Sequence, residues 1–273
     1  MIAALVSYRP SPAGVQEYRT TGQRHRATKT DGCGTMEPMQ RVALITGGAK
    51  RVGRAIVQRL SDAGFAVAFT YHRSSSDAET LAHATGAIPI PADLTQTQTC
   101  VDIFTAFTSR FKQLDVLVNN ASLYESASFE DSDVTVSRRL MAIHFESPLV
   151  LCQHFAPMLK QSRGHVINML DLLVQRPVPK YMAYCASKAA LWNLTLSLSR
   201  ELAPQVTVNG IAPGVVDWPV EYPQADREKY LKRVPLARAG TPGDVAETVH
   251  FLATAAPYVT GQIIRLDGGR SVT

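Results

Sequence analysis

From residue 41 onward the chain alternates short, almost wholly apolar runs with longer stretches in which apolar residues return at helical spacing. The runs 42–46, 66–71, 87–90, 116–118, 165–168, 206–211 and 262–266 lack the polar alternation of a half-exposed strand. They suit strands covered on both faces, as in a parallel sheet. After Gly53, the residues Ala55, Ile56, Leu60 and Ala63 form one face of a helix that Gly64 closes. Helical patterns also fill 97–112, 133–160, 184–202 and 242–254. Seven strands separated by helices imply right-handed βαβ units and a Rossmann-type α/β fold, a doubly wound parallel sheet in a single domain. There is no internal repeat and no second core.

Residues 1–39 break this pattern. Gly, Pro, Thr and Arg are spread there without periodicity, and Met36 and Met39 stand just before the first strand. The segment lacks the basic start and apolar middle of a secretory signal, and Glu17, Asp31 and Glu37 argue against a transit peptide. We expect a disordered N-terminal extension, or a start placed too far upstream, with the folded domain spanning 40–273.

Composition narrows the class. The 273 residues are 45% hydrophobic and 19% charged, enough apolar material for a sizeable core. The net charge of +5 is scattered along the chain, so no nucleic-acid partner is expected. Cys33, Cys100, Cys152 and Cys185 have no metal-like spacing, which points to free thiols in a reducing compartment, the cytoplasm, and to no bound metal. No apolar run approaches the roughly 18 residues of a transmembrane helix, so no membrane partner is expected either.

The chemistry should lie beyond the carboxyl ends of the strands, where doubly wound sheets bind ligands. The turn 46–53 follows the first strand and opens the first helix, where free N–H groups and the helix dipole favour a phosphate. A plain glycine-rich βα turn is the alternative. The second strand ends in Tyr71-His72-Arg73-Ser74 with no acid to hold ribose hydroxyls. Arg73 and Ser74, with Lys50 or Arg51 nearby, suit a 2′-phosphate, so NADPH is the expected cofactor. Asp93-Leu94 after the third strand and Asn120-Ala121-Ser122 after the fourth serve either the cofactor or their own turns. Pro213-Gly214 ends the sixth strand where backbone groups are free to meet a nicotinamide amide, or as a simple turn. Tyr184 and Lys188 stand one helical turn apart, close enough for the ammonium to stabilise a phenolate.

Taken together, Thr46 to Gly53, Asp93, Asn119-Asn120-Ala121, Tyr184 with Lys188, Asn209 with Pro213-Gly214, and the closing Asp267-Gly268-Gly269 resemble the short-chain dehydrogenases/reductases over nearly all of 41–273. The resemblance implies a subunit that is commonly tetrameric, with Tyr184 as proton donor and Lys188 binding the nicotinamide ribose while lowering the pKa of Tyr184. It implies cofactor contacts from Gly47, Lys50, Arg51, Val52, Gly53, His72, Arg73, Ser74, Asp93, Leu94, Asn120, Ala121, Ser122, Tyr184, Lys188, Pro213, Gly214 and Val216.

Three positions depart from the general pattern. Arg51 stands where glycine is usual, Asp171 stands where a serine precedes the tyrosine by thirteen residues, and His144 stands where an asparagine is common. The first two recur in pteridine reductases, which the chain also resembles at 71–74, at 168–171 and in Tyr124. His144 is similar to the bacterial dihydromonapterin reductase branch, and no role is assigned to it.

The chemistry fits these departures. A carboxylate beside a forming alkoxide repels it, whereas a carboxyl group beside a C=N bond can supply the proton that nitrogen needs. The expected substrate residues are Arg51, bridging pterin and cofactor phosphate; Tyr124, stacking on a flat ring; Asp171 and Tyr184; and Trp218, in a lid over 215–233. The expected function is NADPH-dependent reduction of dihydropterins, extending to dihydrofolate. A carbonyl reductase of the same fold is the alternative, and a non-catalytic NADPH-binding regulator is a third.

Overall fold

The computed structural model describes residues 40–218 and 222–273. The N-terminal extension, with Cys33, lies outside the described residues, as do positions 219–221 of the expected lid.

Seven parallel strands form one sheet in the order β3-β2-β1-β4-β5-β6-β7. They are β1 Val42–Ile45, β2 Ala66–Tyr71, β3 Ile88–Pro91, β4 Val116–Asn119, β5 His165–Met169, β6 Thr207–Pro213 and β7 Ile263–Leu266. Because β1 lies between β2 and β4, the chain winds one way from β1 to β3 and the other from β4 to β7. That reversal opens a crevice above the carboxyl ends of β1 and β4.

Eight α-helices cover the sheet among the described residues: α1 Arg51–Asp62, α2 Ser75–Thr85, α3 Thr99–Thr108, α4 Val134–Met141, α5 Ser147–Ser162, α6 Met182–Glu201, α7 Gln224–Leu231 and α8 Pro242–Thr254. Ile56 and Leu60 of α1, Leu81 of α2 and Val249 of α8 pack with Ile45, Phe69 and Val118 on one face. Phe107 of α3, Phe155 of α5 and Leu191 of α6 pack with Leu44, Leu117 and Val208 on the other. The strands β1 and β4 are buried at every position, which is why their sequences show no polar alternation. Among the described residues, no helix is long and apolar enough to cross a membrane.

Two elements differ from the sequence pattern. The pattern over 133–160 is not one helix: a π-helical turn, Ala142–Glu146, separates α4 from α5 and carries His144 into the interior, where it is fully buried. Such widened turns recur at functional sites. Helix α2 has only Ala78 and Leu81 buried, too thin an apolar stripe to stand out in sequence.

Candidate active site

The glycine-rich turn is built from β1 and β4 together. The Thr46 hydroxyl oxygen accepts from Asn120 N at 2.9 Å and Ala121 N at 3.0 Å. Asn120 Nδ2 donates back to Thr46 O at 2.9 Å and Gly47 O at 3.0 Å. Gly47 has φ 65° and donates its N–H to Thr70 Oγ1 at 3.0 Å. A Cβ on Gly53 would lie 2.1 Å from Gly47 O, so helix α1 passes too close for any side chain there. Arg51 holds φ 51°, a left-handed backbone that costs a non-glycine residue about 1 kcal/mol. That backbone accounts for the glycine usual at this position in the family it resembles.

A groove of about 370 Å³ runs over these strand ends. It is lined by Gly47, Lys50, Arg51, Val52 and Gly53 from the turn, His72 after β2, Asp93 and Leu94 after β3, and Asn120, Ala121 and Ser122 after β4. Tyr184, Lys188 and Pro213 complete it. Arg73 and Ser74 are not among the residues that line it; they lie in the turn that leads into α2. Burial opposes ionisation of Asp93, yet hydrogen bonds from Thr95 and the charges of His72 and Arg73 hold its carboxyl below the usual range. Gly214 lies against Tyr230 and Asp267, and Val216 packs on the core beneath α1 and α8.

The cations of the turn are already engaged. Lys50 Nζ lies 3.0 Å from Asp77 Oδ2. Arg51 does not point along the groove alone: its Nε donates to Asp217 Oδ2 at 2.5 Å and its Nη2 to Asp217 O at 3.0 Å.

At the inner end of the groove, Tyr184 and Lys188 project from one face of α6, and both are buried. Tyr184 Oη donates to Asp171 Oδ2 at 2.6 Å. The other carboxylate oxygen accepts from Leu173 N at 2.8 Å, capping a short 3-10 turn, Leu172–Val174. Asp171 is therefore a turn cap through one oxygen and the partner of Tyr184 through the other. Burial pushes its pKa up, against the pull of Leu173, Tyr184 and Lys188.

In this arrangement burial first, then the adjacent Asp171 charge, hold the Tyr184 phenol well above its usual 10.0. The Lys188 ammonium donates to Met169 O at 2.8 Å, and burial brings its own pKa from 10.5 to about 8.

Of the expected substrate residues, Tyr124 lies beside this pair. Its ring stacks on Tyr181 at 4.5 Å and meets Tyr184 edge-on at 4.8 Å. Trp218 stands apart from the groove lining; it packs against Tyr222 at 4.9 Å and Tyr230 at 5.4 Å and anchors the chain after β6 to α7.

His144 is fixed by its partners. Ser187 Oγ donates to Tyr184 O at 2.8 Å, so it can only accept from His144 Nδ1, also at 2.8 Å. His144 Nε2 accepts from Leu123 N at 3.4 Å and pairs with Ser122 Oγ at 2.8 Å. Since a backbone N–H only donates, the imidazole is the neutral Nδ1–H tautomer. Burial, with the Lys188 charge, drops its pKa to about 2.

A family model described as Enoyl-(Acyl carrier protein) reductase matches residues 47–271, which span the groove, the buried Tyr184 and Lys188 and the partly buried Asp171. The chain belongs to the short-chain dehydrogenase/reductase family. Within the family it is similar to Pteridine reductase 1 of Leishmania tarentolae, 32% identical over 88% of this chain and 99% of that protein. It is equally similar to a 3-oxoacyl-[acyl-carrier-protein] reductase of Synechocystis, 32% identical over 84% of this chain and 96% of that protein. Among solved structures, FolM alternative dihydrofolate reductase 1 of Brucella canis, complexed with NADP, superposes with a TM-score of 0.78. The two are 33% identical over 85% of this chain and 95% of that one. Membership of the short-chain family makes the protein an oxidoreductase with an NAD(P)-type cofactor.

Sequence reasoning missed Asp217 as the partner of Arg51 and Ser187 as the partner of His144. Asp217 is 166 residues from Arg51, and no local pattern links them. Ser187 is adjacent to Lys188 in a helix, and its spacing to Tyr184 was the available signal.

Proposed function

We propose that this short-chain family member is an NADPH-dependent reductase of dihydropterins, including dihydrofolate. The hydrogen bond from Tyr184 to a partly buried carboxyl group at position 171 carries the reading. The groove supports the cofactor: Gly53 leaves no room for a side chain above Gly47 O, and α1 opens there toward a phosphate. Beyond β2, Arg73 and Ser74 offer a cation and a donor to a 2′-phosphate, and Lys50, paired with Asp77 at 3.0 Å, stands across the turn.

When bound, NADPH supplies the hydride that adds to the carbon of the C=N bond. Tyr184 gives its hydroxyl proton to the nitrogen, and the carboxylic-acid form of Asp171, which burial favours, returns a proton to Tyr184. Asp171 is left ionised and regains its proton from water. Lys188, charged and buried at the base of the groove, holds the ribose side. Tyr124 offers its ring to the flat substrate.

The similarity to 3-oxoacyl-[acyl-carrier-protein] reductases favours a second reading, reduction of a ketone. Asp171 speaks against it, because whenever this carboxyl group is ionised it repels a forming alkoxide. The test is NADPH oxidation with 7,8-dihydrobiopterin, 7,8-dihydromonapterin, dihydrofolate and an acetoacetyl thioester, in wild type, Asp171→Ser and Tyr184→Phe. Turnover of a dihydropterin, abolished in Tyr184→Phe and strongly reduced in Asp171→Ser, supports the reading. Turnover of the thioester alone overturns it, and no turnover of any substrate despite NADPH binding makes the protein a regulator. The reading also carries a cytoplasmic homotetramer, which light scattering on the purified protein tests.

A further inference from the structure

Away from the cofactor groove, a second cleft of about 700 Å³ is bordered by Arg176, Lys232, Arg233 and Arg270. Three separate segments bring these cations together. Arg176 follows the 3-10 turn after β5, Lys232 and Arg233 follow α7, and Arg270 opens a last short turn after β7. No acidic side chain lines the cleft, and among the described residues none of the four cations forms an ion pair.

Gathering four like charges around one opening is unfavourable unless a counter-charge enters. Two of them are nevertheless held in place. Arg176 donates through Nη1 to Arg270 O at 3.2 Å and through Nη2 to Ser271 O at 2.8 Å. The Arg270 guanidinium lies over the Tyr230 ring at 5.9 Å, and its buried Nε has no hydrogen-bond partner. Fixed guanidinium groups suit planar carboxylates, which they engage through paired N–H donors.

The cleft is joined to the candidate active site through the chain. Arg176 stands five residues beyond Asp171 on the same connection. Tyr230 forms the partition: it carries Arg270 over its ring, meets Trp218 edge-on, and its Oη accepts from Val215 N at 3.2 Å just beyond β6. The charges of Arg270, Asp267 and Asp171 all act on the Tyr230 phenol.

Building on the dihydropterin reading, we propose that this cleft is a subsite for a carboxylate-bearing extension of the pterin, and that the enzyme selects acidic dihydropterins over neutral ones. The flat ring occupies the groove beside Tyr184, and its tail passes Tyr230 into the field of the four cations.

The experiment compares kcat/KM for dihydrofolate, whose tail is a dianion, with that for neutral 7,8-dihydrobiopterin. Arg176→Ala and the double variant Lys232→Glu with Arg233→Glu are measured beside wild type. The double variant changes exposed positions and guards against a folding defect in Arg176→Ala. The ratio of dihydrofolate to dihydrobiopterin kcat/KM falls on the order of tenfold in the double variant, through KM, and falls in wild type as salt is raised. An unchanged ratio, or a parallel loss for both substrates, overturns the subsite and leaves the dihydropterin reading standing. Failure of wild type to reduce either pterin overturns that reading, and the subsite with it.

Discussion

The Tyr184 hydroxyl donates to Asp171 from within the protein interior, across 2.6 Å, while the other oxygen of Asp171 is held by Leu173 N. The carboxyl group is buried, so its proton is retained above the usual carboxylate value of 3.8. Reduction that needs this proton is fastest at low pH and declines as pH rises through the raised pKa. Asp171→Asn lowers kcat by roughly 100-fold and removes that limb of the pH profile. A variant retaining the wild-type profile would reject Asp171 as the proton source.

The same shift sets a sign for stability. A folded pKa above the unfolded value contributes stability that is present below about 4 and lost as pH rises. Asp171→Asn therefore raises Tm at pH 7, where the amide replaces a buried charge, and has little effect near pH 3. Thermal unfolding at the two pH values checks this; an equal effect at both would locate the change in packing.

Arg51 and Asp217 tie the nucleotide turn to the chain after β6, with Arg51 60% and Asp217 35% exposed. An exposed pair of this type is worth up to ~1 kcal/mol, about fivefold in affinity. Asp217→Asn frees Arg51 for an anionic cofactor and tightens NADPH binding by up to about fivefold, an effect that salt suppresses. Arg51→Gly weakens binding while leaving stability within about 1 kcal/mol of wild type, because relief of the left-handed backbone offsets loss of the Asp217 pair. Fluorescence titration and urea unfolding separate the two effects.

Buried His144 stays neutral down to about pH 2, against 6.5 in an unfolded chain. Its contribution to stability is complete above 6.5 and is lost as pH falls, at up to about 1.4 kcal/mol per pH unit. His144→Gln has a flatter dependence between pH 6.5 and 4.5, whatever its stability at neutral pH. Parallel urea midpoints for the two proteins across that range would refute this protonation state.

At Gly53 a Cβ would meet a backbone oxygen, Gly47 O, which has no freedom to move aside. Gly53→Ala destabilises the fold by about 1–3 kcal/mol and impairs NADPH binding with it. Urea unfolding with and without NADPH measures both.

The alternation of strands and helices, the sheet they form and a groove beyond the strand ends were legible in the chain. A strand covered on both faces must be apolar at every position, and a helix on one face only must repeat near every fourth, so these elements write their burial into local sequence. Tyr184 and Lys188 were legible for the same reason, being neighbours on one helical face. The segment α2 was not, since two buried residues make too weak a stripe.

Tertiary structure decided what joins residues far apart in sequence. It gave Asp171 two simultaneous partners, set Lys188 against Met169 O, and seated His144 between Ser122 and Ser187 through a widened helical turn. It also paired Arg51 with Asp217 and gathered Arg176, Lys232, Arg233 and Arg270 around one cleft. Hydrogen bonds and ion pairs depend on distance in space, and burial of the whole assembly sets each pKa. Periodicity records only which side of an element faces inward, so it leaves those partners undetermined.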